Sequence, residues 1–305
     1  MNRSVAGRVC VVGSLNVDTT LRVTTLPRPG QTTLAAGRAV TQGGKGANQA
    51  VAARWQGSEV TLVAAVGDDS QGRNSLDDLR ARGIDVSAVQ LLPGTPTGAA
   101  VVLVADDGEN LIVVDPSANA ELGEEWVRER VTLADPDVVV AQLEVPLSCV
   151  LAAAEVSSGK YFILNPAPMP SARADLDSLL GQVDVLVPNR PELAQLVGAD
   201  LPVTLDDVDQ CSRQLAFAGT LVVTLGSEGA AVYGAGGRRR LAHVPAATVE
   251  VVDTTGAGDA FCGVLADRLA RGAAVIDAVE QATRVAGLST TARGAQLPPT
   301  LSPIT

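Results

Sequence analysis

Asp253-Thr254-Thr255-Gly256-Ala257-Gly258-Asp259, followed directly by Ala260-Phe261-Cys262-Gly263-Val264-Leu265-Ala266, describes a glycine loop opening into an apolar helix. The first N–H groups of a helix lack intrahelical partners and lie at the positive end of its dipole. Gly256 and Gly258 carry no side chain to block approach, so an anion can rest on those donors. Asp259 stands where it would repel a resting phosphate, which makes it a candidate base for the proton of an attacking hydroxyl. Donors for developing negative charge beside a base for an alcohol are the parts of phosphoryl transfer to a hydroxyl. A glycine turn with an ordinary first-turn acid reads the same way in isolation, so the rest of the chain has to decide.

Outward from this loop, short Val/Leu runs alternate with longer helical patterns. Strands are predicted at 8–12, 60–66, 110–114, 137–142, 161–164, 183–187, 221–225 and 230–233. Helices are predicted at 46–56, 71–82, 121–133, 146–157, 190–197, 205–218, 257–271 and 275–292. This alternation implies an α/β fold: a mostly parallel central sheet with helices on both faces and ligands at the carboxyl ends of the strands. Two segments break the rhythm. Residues 19–25 and 32–40 alternate polar and apolar around Pro27-Arg28-Pro29-Gly30, and 89–92 and 97–104 do so around Pro93-Gly94-Thr95-Pro96. They read as half-exposed antiparallel strands. The expectation is a single α/β domain over 1–305, with a small antiparallel β lid contributed by about 19–40 and 89–104. An apolar lid face needs cover, so a homodimer through the lid is also expected.

The 305-residue chain is 46% apolar but only 2% aromatic, so its core is built from Val, Leu and Ala. A net charge of −11 and the scarcity of stacking rings argue against nucleic acid as a partner. The basic run Arg238-Arg239-Arg240 follows Gly236-Gly237 and reads as a solvated hairpin tip. Cys10, Cys149, Cys211 and Cys262 are scattered and His243 is the sole histidine, which argues against zinc and for free thiols in a reducing compartment. The apolar run 9–12 is too short for a signal peptide, and no stretch reaches membrane-spanning length. A cytoplasmic protein without membrane contact is expected.

Further motifs fall at the predicted strand ends. Asn16 and Asp18 alternate with apolar neighbours and point the same way, suited either to gripping a polyhydroxylated ligand or to capping a turn. Gln42-Gly43-Gly44-Lys45-Gly46-Ala47-Asn48-Gln49-Ala50 opens a small-residue helix and is not a Walker A loop. Lys45 and Lys160 are the only lysines, so Lys45 is either a position that arginine's fork would not serve or a solvent-facing helix start. Glu144 and Asn165-Pro166 follow two strands. Asn189 and Glu192 could hold the water shell of Mg²⁺, or Asn189 could simply cap a helix. The glycines of Thr224-Leu225-Gly226-Ser227-Glu228-Gly229 permit a nucleotide to lie on the backbone, as would a plain hairpin turn.

Gly43-Gly44-Lys45-Gly46-Ala47-Asn48-Gln49-Ala50 and Asp253 to Asp259 together resemble the two signatures of the PfkB-type carbohydrate kinases, and the likeness runs from about residue 9 to 297. Within that family the motifs are most similar to those of members that phosphorylate D-ribose. The resemblance implies a ribokinase-like fold whose lid excludes water, and transfer from ATP to the 5-hydroxyl, giving ribose 5-phosphate and ADP. It implies Asp259 as base, Gly256, Ala257 and Gly258 as anion hole, and Lys45 as a stabiliser of transferring charge. Asn16, Asp18, Gly43, Gly44, Lys45, Asn48 and Glu144 match sugar-contacting positions. Asn189, Thr224, Gly226, Ser227, Gly229 and Gly258 match the ATP site, with Glu192 completing an Asn-x-x-Glu motif for Mg²⁺ and phosphate. A monovalent-cation (K⁺) site corresponds to Asp253, Thr255, Ser289, Ala292 and Gly294. Thr283 falls at an adenine-contacting position where relatives often carry Asn or His. Gly294-Ala295-Gln296 is followed by a short tail where relatives often have a further helix. Deoxyribose, another pentose, fructose or a nucleoside are alternative acceptors, and a sugar sensor without turnover is a different class. A nicotinamide dehydrogenase is disfavoured, because Gly13-Ser14-Leu15-Asn16 after the first strand is no Gly-x-Gly-x-x-Gly.

Overall fold

The computed structural model describes residues 6–170, 176–235 and 239–298. Its first half contains β1 (Arg8–Val12), β2 (Asn16–Val23), β3 (Gly37–Gly43), α1 (Lys45–Gln56), β4 (Glu59–Gly67), α2 (Ser70–Ala81), β5 (Val89–Leu92), β6 (Gly98–Ala105) and β7 (Asn110–Asp115). There follow α3 (Glu124–Ala134), β8 (Val138–Ala141), α4 (Leu147–Val156), β9 (Tyr161–Leu164), α5 (Asp177–Leu180), β10 (Val185–Leu186), α6 (Arg190–Val197) and α7 (Leu205–Gln214). The last elements are β11 (Thr220–Thr224), β12 (Ala230–Tyr233), β13 (Arg240–Val244), α8 (Ala257–Ala270) and α9 (Val275–Ser289).

The large sheet has the order β13-β12-β11-β10-β9-β8-β1-β4-β5. From β11 to β5 every pair is parallel, and β12 and β13 close one side with antiparallel pairing. The parallel strands read as near-continuous Val/Leu/Ala runs because both faces are covered. One core lies under α1, α2, α8 and α9, and the other under α3 to α7. All four cysteines are buried and free.

Local chemistry sets the helix starts. Asn189 and Glu192 form a reciprocal capping box on α6, and Thr204 with Asp207 does the same for α7. Asp69 accepts the Gly72 N–H at 2.8 Å to start α2. The α3 pattern, expected from residue 121, begins at Glu124, because 117–121 tighten into a 3₁₀ turn ahead of Gly123.

The second sheet, ordered β3-β2-β6-β7, differs from the expected lid in membership. Val89–Leu92 belongs to the large sheet as its edge strand β5, paired parallel with β4. An edge strand is half-buried, so its alternation is indistinguishable from that of a lid strand. Conversely, residues 110–114, assigned from their apolar run to the α/β sheet, form the exposed outer strand of the small sheet. β3 lies at 37–43 rather than 32–40, since its register is set by pairing Gly43 with Asn16. The edge pairs are antiparallel, while the central β2–β6 pair is parallel. The reason is topological: β2 and β6 follow β1 and β5, which flank β4 and both run parallel to it, over the same edge of the large sheet, and so leave it in the same direction.

Gly236, Gly237 and Arg238 of the expected hairpin tip lie outside the described residues. Arg240 is not a free tip residue: it opens β13, which the sequence reading missed, and pairs with Asp209 at 3.3 Å. Among the described residues no helix is long and apolar enough to cross a membrane.

Candidate active site

The carboxyl ends of β1, β8, β9, β10 and β11 converge with the N-termini of α1 and α8, as ligand sites do in open parallel sheets. Gly256 holds the αL conformation (φ 75°) that caps α8, and a Cβ there would overlap the Ala295 carbonyl. Gly258 faces open space, with nothing within 4 Å of where its Cβ would stand. The loop therefore offers a bare backbone at a helix N-terminus. The Ala257 N–H donates to the Thr254 carbonyl at 3.2 Å, so that donor already closes the turn.

Asp259 is only 6% exposed. Its Oδ2 accepts from Asn48 Nδ2 at 3.0 Å and its Oδ1 from Gln49 Nε2 at 3.1 Å. Burial raises its pKa, opposed by the Lys45 charge and the two amide donors. Burial also works against the Lys45 ammonium, but Asp259, Glu144 and Glu192 together outweigh it and hold the lysine pKa above its ordinary value. Lys45 is the one cation among the residues lining the cleft between Asn189, Glu192, Gly256 and Asp259.

At the other end of Lys45, Glu144 Oε2 accepts from Ser14 Oγ at 2.5 Å and from the Lys45 N–H at 3.0 Å. This carboxylate ties the β1 exit to the start of α1. Gly44 has φ 87°, and a Cβ there would lie 2.8 Å from Leu15 Cα, so only glycine lets the two loops touch. A Cβ on Gly43 would strike the Asp18 carboxylate. Burial, then the neighbouring Glu144 and Asp259 charges, push the Asp18 pKa up to about 6. Asp18 Oδ1 and Asn48 Oδ1 are both buried acceptors with no donor. Hydroxyl groups of a bound polyol would satisfy both, which fits the donor-rich ligand inferred for this end.

On the far side of Asp259, a cleft of about 550 Å³ is lined by Thr224, Gly226, Ser227, Gly229, Gly258 and Thr283 together with apolar side chains. It shares Thr224 and Gly258 with the narrower cleft around Lys45 and Asp259, so the two are continuous. Thr283 is 6% exposed and its Oγ1 has no partner, leaving an unpaired hydroxyl for a base in a wall of small apolar and hydroxyl side chains. Asn189 and Glu192 border the narrower cleft, but each occupies the other: the Asn189 N–H and Nδ2 donate to Glu192 at 2.9 Å. Burial raises the Glu192 pKa, partly offset by Asn189 and Lys45.

Asp253 joins two loops beside the α8 N-terminus. Its carboxylate accepts from the Thr255 N–H and from the Gly294 N–H, each at 2.9 Å, while the Ala292 N–H donates to the Ser289 carbonyl at 3.4 Å. These bonds, opposed by burial, leave the Asp253 pKa below its usual value. The structure thus gathers Asp253, Thr255, Ser289, Ala292 and Gly294 into one loop cluster behind the anion cradle.

Asn119, 1% exposed, has no counterpart in the motif reading. Its Oδ1 accepts the Leu15 N–H at 2.9 Å, and its Nδ2 donates to the Leu15 carbonyl at 3.2 Å and to Asn16 Oδ1 at 2.7 Å. Because Asn119 occupies the Asn16 oxygen, it leaves the Asn16 amino group as the end available to a ligand. No local pattern could have found it, since the partners lie about a hundred residues away in sequence. Asn119→Ala strands two or more buried polar groups, so urea unfolding should show a loss of roughly 2–4 kcal/mol. A loss under about 0.5 kcal/mol would mean water replaces the amide.

An open helix start, a buried carboxylate beside it and two unfilled acceptors beyond it are the parts that phosphoryl transfer to a sugar requires. The chain matches the pfkB family carbohydrate kinase over residues 6–301, and it belongs to that family. It is 34% identical to the ribokinase of Schizosaccharomyces pombe, covering 94% of this chain and 93% of that protein. It is 37% identical to the deoxyribokinase of Salmonella typhi, covering 94% of each. The structure of Arabidopsis thaliana ribokinase complexed with ribose and ATP superposes with a TM-score of 0.80 at 30% identity, covering 95% of this chain and 94% of that one.

Proposed function

We propose that this protein transfers the γ-phosphoryl group of ATP to the 5-hydroxyl of D-ribose, giving ribose 5-phosphate and ADP. The observation that carries the reading is Asp259, a buried carboxylate held by two amides between an open anion cradle and two orphaned acceptors. Asp18, Asn16 and Asn48 hold the sugar hydroxyls, with Gly43, Gly44 and Glu144 shaping that end. Asp259 takes the 5-hydroxyl proton as the sugar oxygen bonds to the γ-phosphorus and the bond to the ADP oxygen breaks. The α8 N-terminus at Gly256–Gly258 and the Lys45 ammonium stabilise charge on the transferring group. Thr224, Gly226, Ser227, Gly229 and Thr283 line the nucleotide.

Glu192, held by Asn189, would accept from the water shell of Mg²⁺ through the lone pairs its capping bonds leave open, with Asn189 Oδ1 beside it, and the ion would neutralise charge on the nucleotide phosphates. Asp253, Thr255, Ser289, Ala292 and Gly294 would hold K⁺, whose field adds to that of the cradle. Four buried thiols suit a reducing compartment such as the cytoplasm.

The test is ATP consumption with D-ribose, 2-deoxyribose, fructose and adenosine in turn, with Mg²⁺ and with or without K⁺. Fast K⁺-stimulated turnover on ribose is the expected result. A preference for 2-deoxyribose is the second reading, favoured by the 37% identity to a deoxyribokinase. That outcome keeps Asp259 as base and overturns the sugar roles of Asn16, Asp18 and Glu144.

We also assign a homodimer to the small sheet. Val40, Val101, Leu111 and Val113 are each more than 40% exposed and fall on paired positions of one face. Covering them in a second copy removes that surface from water. Val113→Glu should convert a dimer to monomer in sedimentation velocity. A wild-type monomer at tens of micromolar, about the range where specific dimers persist, would reject the assignment.

A further inference from the structure

Asp259 sits at the end of a run of buried amides. Gln142 Nε2 donates to Gln49 Oε1 at 2.6 Å, and Gln49 Nε2 donates to Asp259 Oδ1 at 3.1 Å. Both glutamines are fully buried, and Gln142 packs against the bare backbone of Gly13, where a Cβ would overlap its Oε1. An amide presents a donor end and an acceptor end of nearly the same shape, so its partners decide which way it faces. Gln142 occupies the Gln49 carbonyl and leaves the Gln49 amino group for the carboxylate. The opposite sense would set a carbonyl oxygen against a carboxylate oxygen in a dry site, where unpaired polar groups cost most.

We propose that Gln49 is the positioning residue for the base, with Gln142 fixing the sense of its amide, so that Asp259 stays ionised and aimed at the acceptor hydroxyl. The proposal rests on the reading of Asp259 as base. The charges that face Asp259 show why a neutral donor matters. Lys45 on α1 is the one cation; Glu144 after β8, Glu192 on α6 and Asp18 on β2 are anions, and the Cys262 thiol stands on α8 itself. Burial adds to the anions in favouring the protonated acid, so the donors from Asn48 and Gln49 offset a field that Lys45 alone does not. Asn48 also lies at the sugar end, whereas among the described residues the Gln49 side chain hydrogen-bonds only to Asp259, Asn165 and Gln142.

The test is steady-state turnover of the full chain, with MgATP and its best sugar, from about pH 5 to pH 9. Wild type, Gln49→Met, Gln142→Met and Asp259→Asn are compared, with melting temperatures measured alongside. Methionine keeps the length and removes the side-chain hydrogen bonds, three at Gln49 and one at Gln142. Gln49→Met should move the acid limb of kcat up by about one pH unit and lower the plateau roughly 10–100-fold, with the sugar KM within about threefold. Gln142→Met should shift the limb in the same direction by less, because Gln49 keeps its donor and loses its lock. If Gln49→Met fails to fold, the Gln142→Met limb decides alone. An unshifted acid limb in the folded variants, even with reduced kcat, overturns the positioning role. Near-normal turnover of Asp259→Asn overturns the base itself, a separate failure.

Discussion

Asp259→Asn is expected to lower kcat by about 10²–10⁴ while sugar affinity, read by calorimetry, changes only a few-fold. The amide keeps the shape and cannot accept the hydroxyl proton. Its single oxygen can serve only one of the two donors, Asn48 Nδ2 or Gln49 Nε2, so a fixed offset in stability accompanies the change. The pH slope is the cleaner readout. Burial raises the folded-state pKa of Asp259 above its unfolded value, so the folded protein binds this proton more tightly than the unfolded chain does. The contribution is fully present below the ordinary carboxylate range and is lost as pH rises through the raised value. Asparagine does not titrate. The melting temperature of the variant minus that of wild type should therefore increase from about pH 4 towards neutrality. A flat difference would mean that Asp259 is not strained by burial, and a retained kcat would remove it from the reaction.

Lys45→Met should reduce kcat/KM by about 10²–10³ and move the acid limb upward. Lys45 faces Asp259, Glu144 and Glu192, and its removal leaves those carboxylates without a counter-ion. The Lys45 pKa is raised, so its stabilising effect is fully present below the ordinary lysine value and is lost only above it. Methionine should therefore lower the melting temperature across neutral pH, increasingly as the carboxylates ionise. Lys45→Arg separates charge from shape. It should recover most of the stability and little of the turnover, since a planar fork cannot replace a compact ammonium in a cleft of about 120 Å³. Full turnover in the arginine variant would reduce Lys45 to a structural counter-ion.

Many of these residues are legible in the sequence because their signal is local. Gly256 and Gly258 stand at a helix start where αL geometry and a bare backbone are needed, and α8 follows from the apolar residues behind them. The Val-rich strands β1, β8, β9 and β11 were read to within about two residues, since burial on both faces writes a continuous apolar run. The small sheet was misread for the converse reason. β5 is half-buried at an edge and looks like a lid strand, while β7 is apolar and exposed and looks like a core strand. Composition reports how much surface a strand can bury, and a different part of the molecule decides what buries it.

The sequence by itself determined the α/β class and the two glycine signatures, and it singled out Asp259, Lys45, Asn16 and Asp18 as candidates for chemistry. Each rests on periodicity or on a backbone conformation that a few neighbouring residues dictate. Only the tertiary structure decided which end of the Asn16 amide is occupied, that Glu144 spans Ser14 and Lys45, and that Gln142 turns Gln49 towards Asp259. Those bonds join residues 93 to 210 positions apart. A hydrogen bond is directional and short, so its partner is fixed by where the sheet brings two chain segments together, and no run of neighbouring residues encodes that meeting.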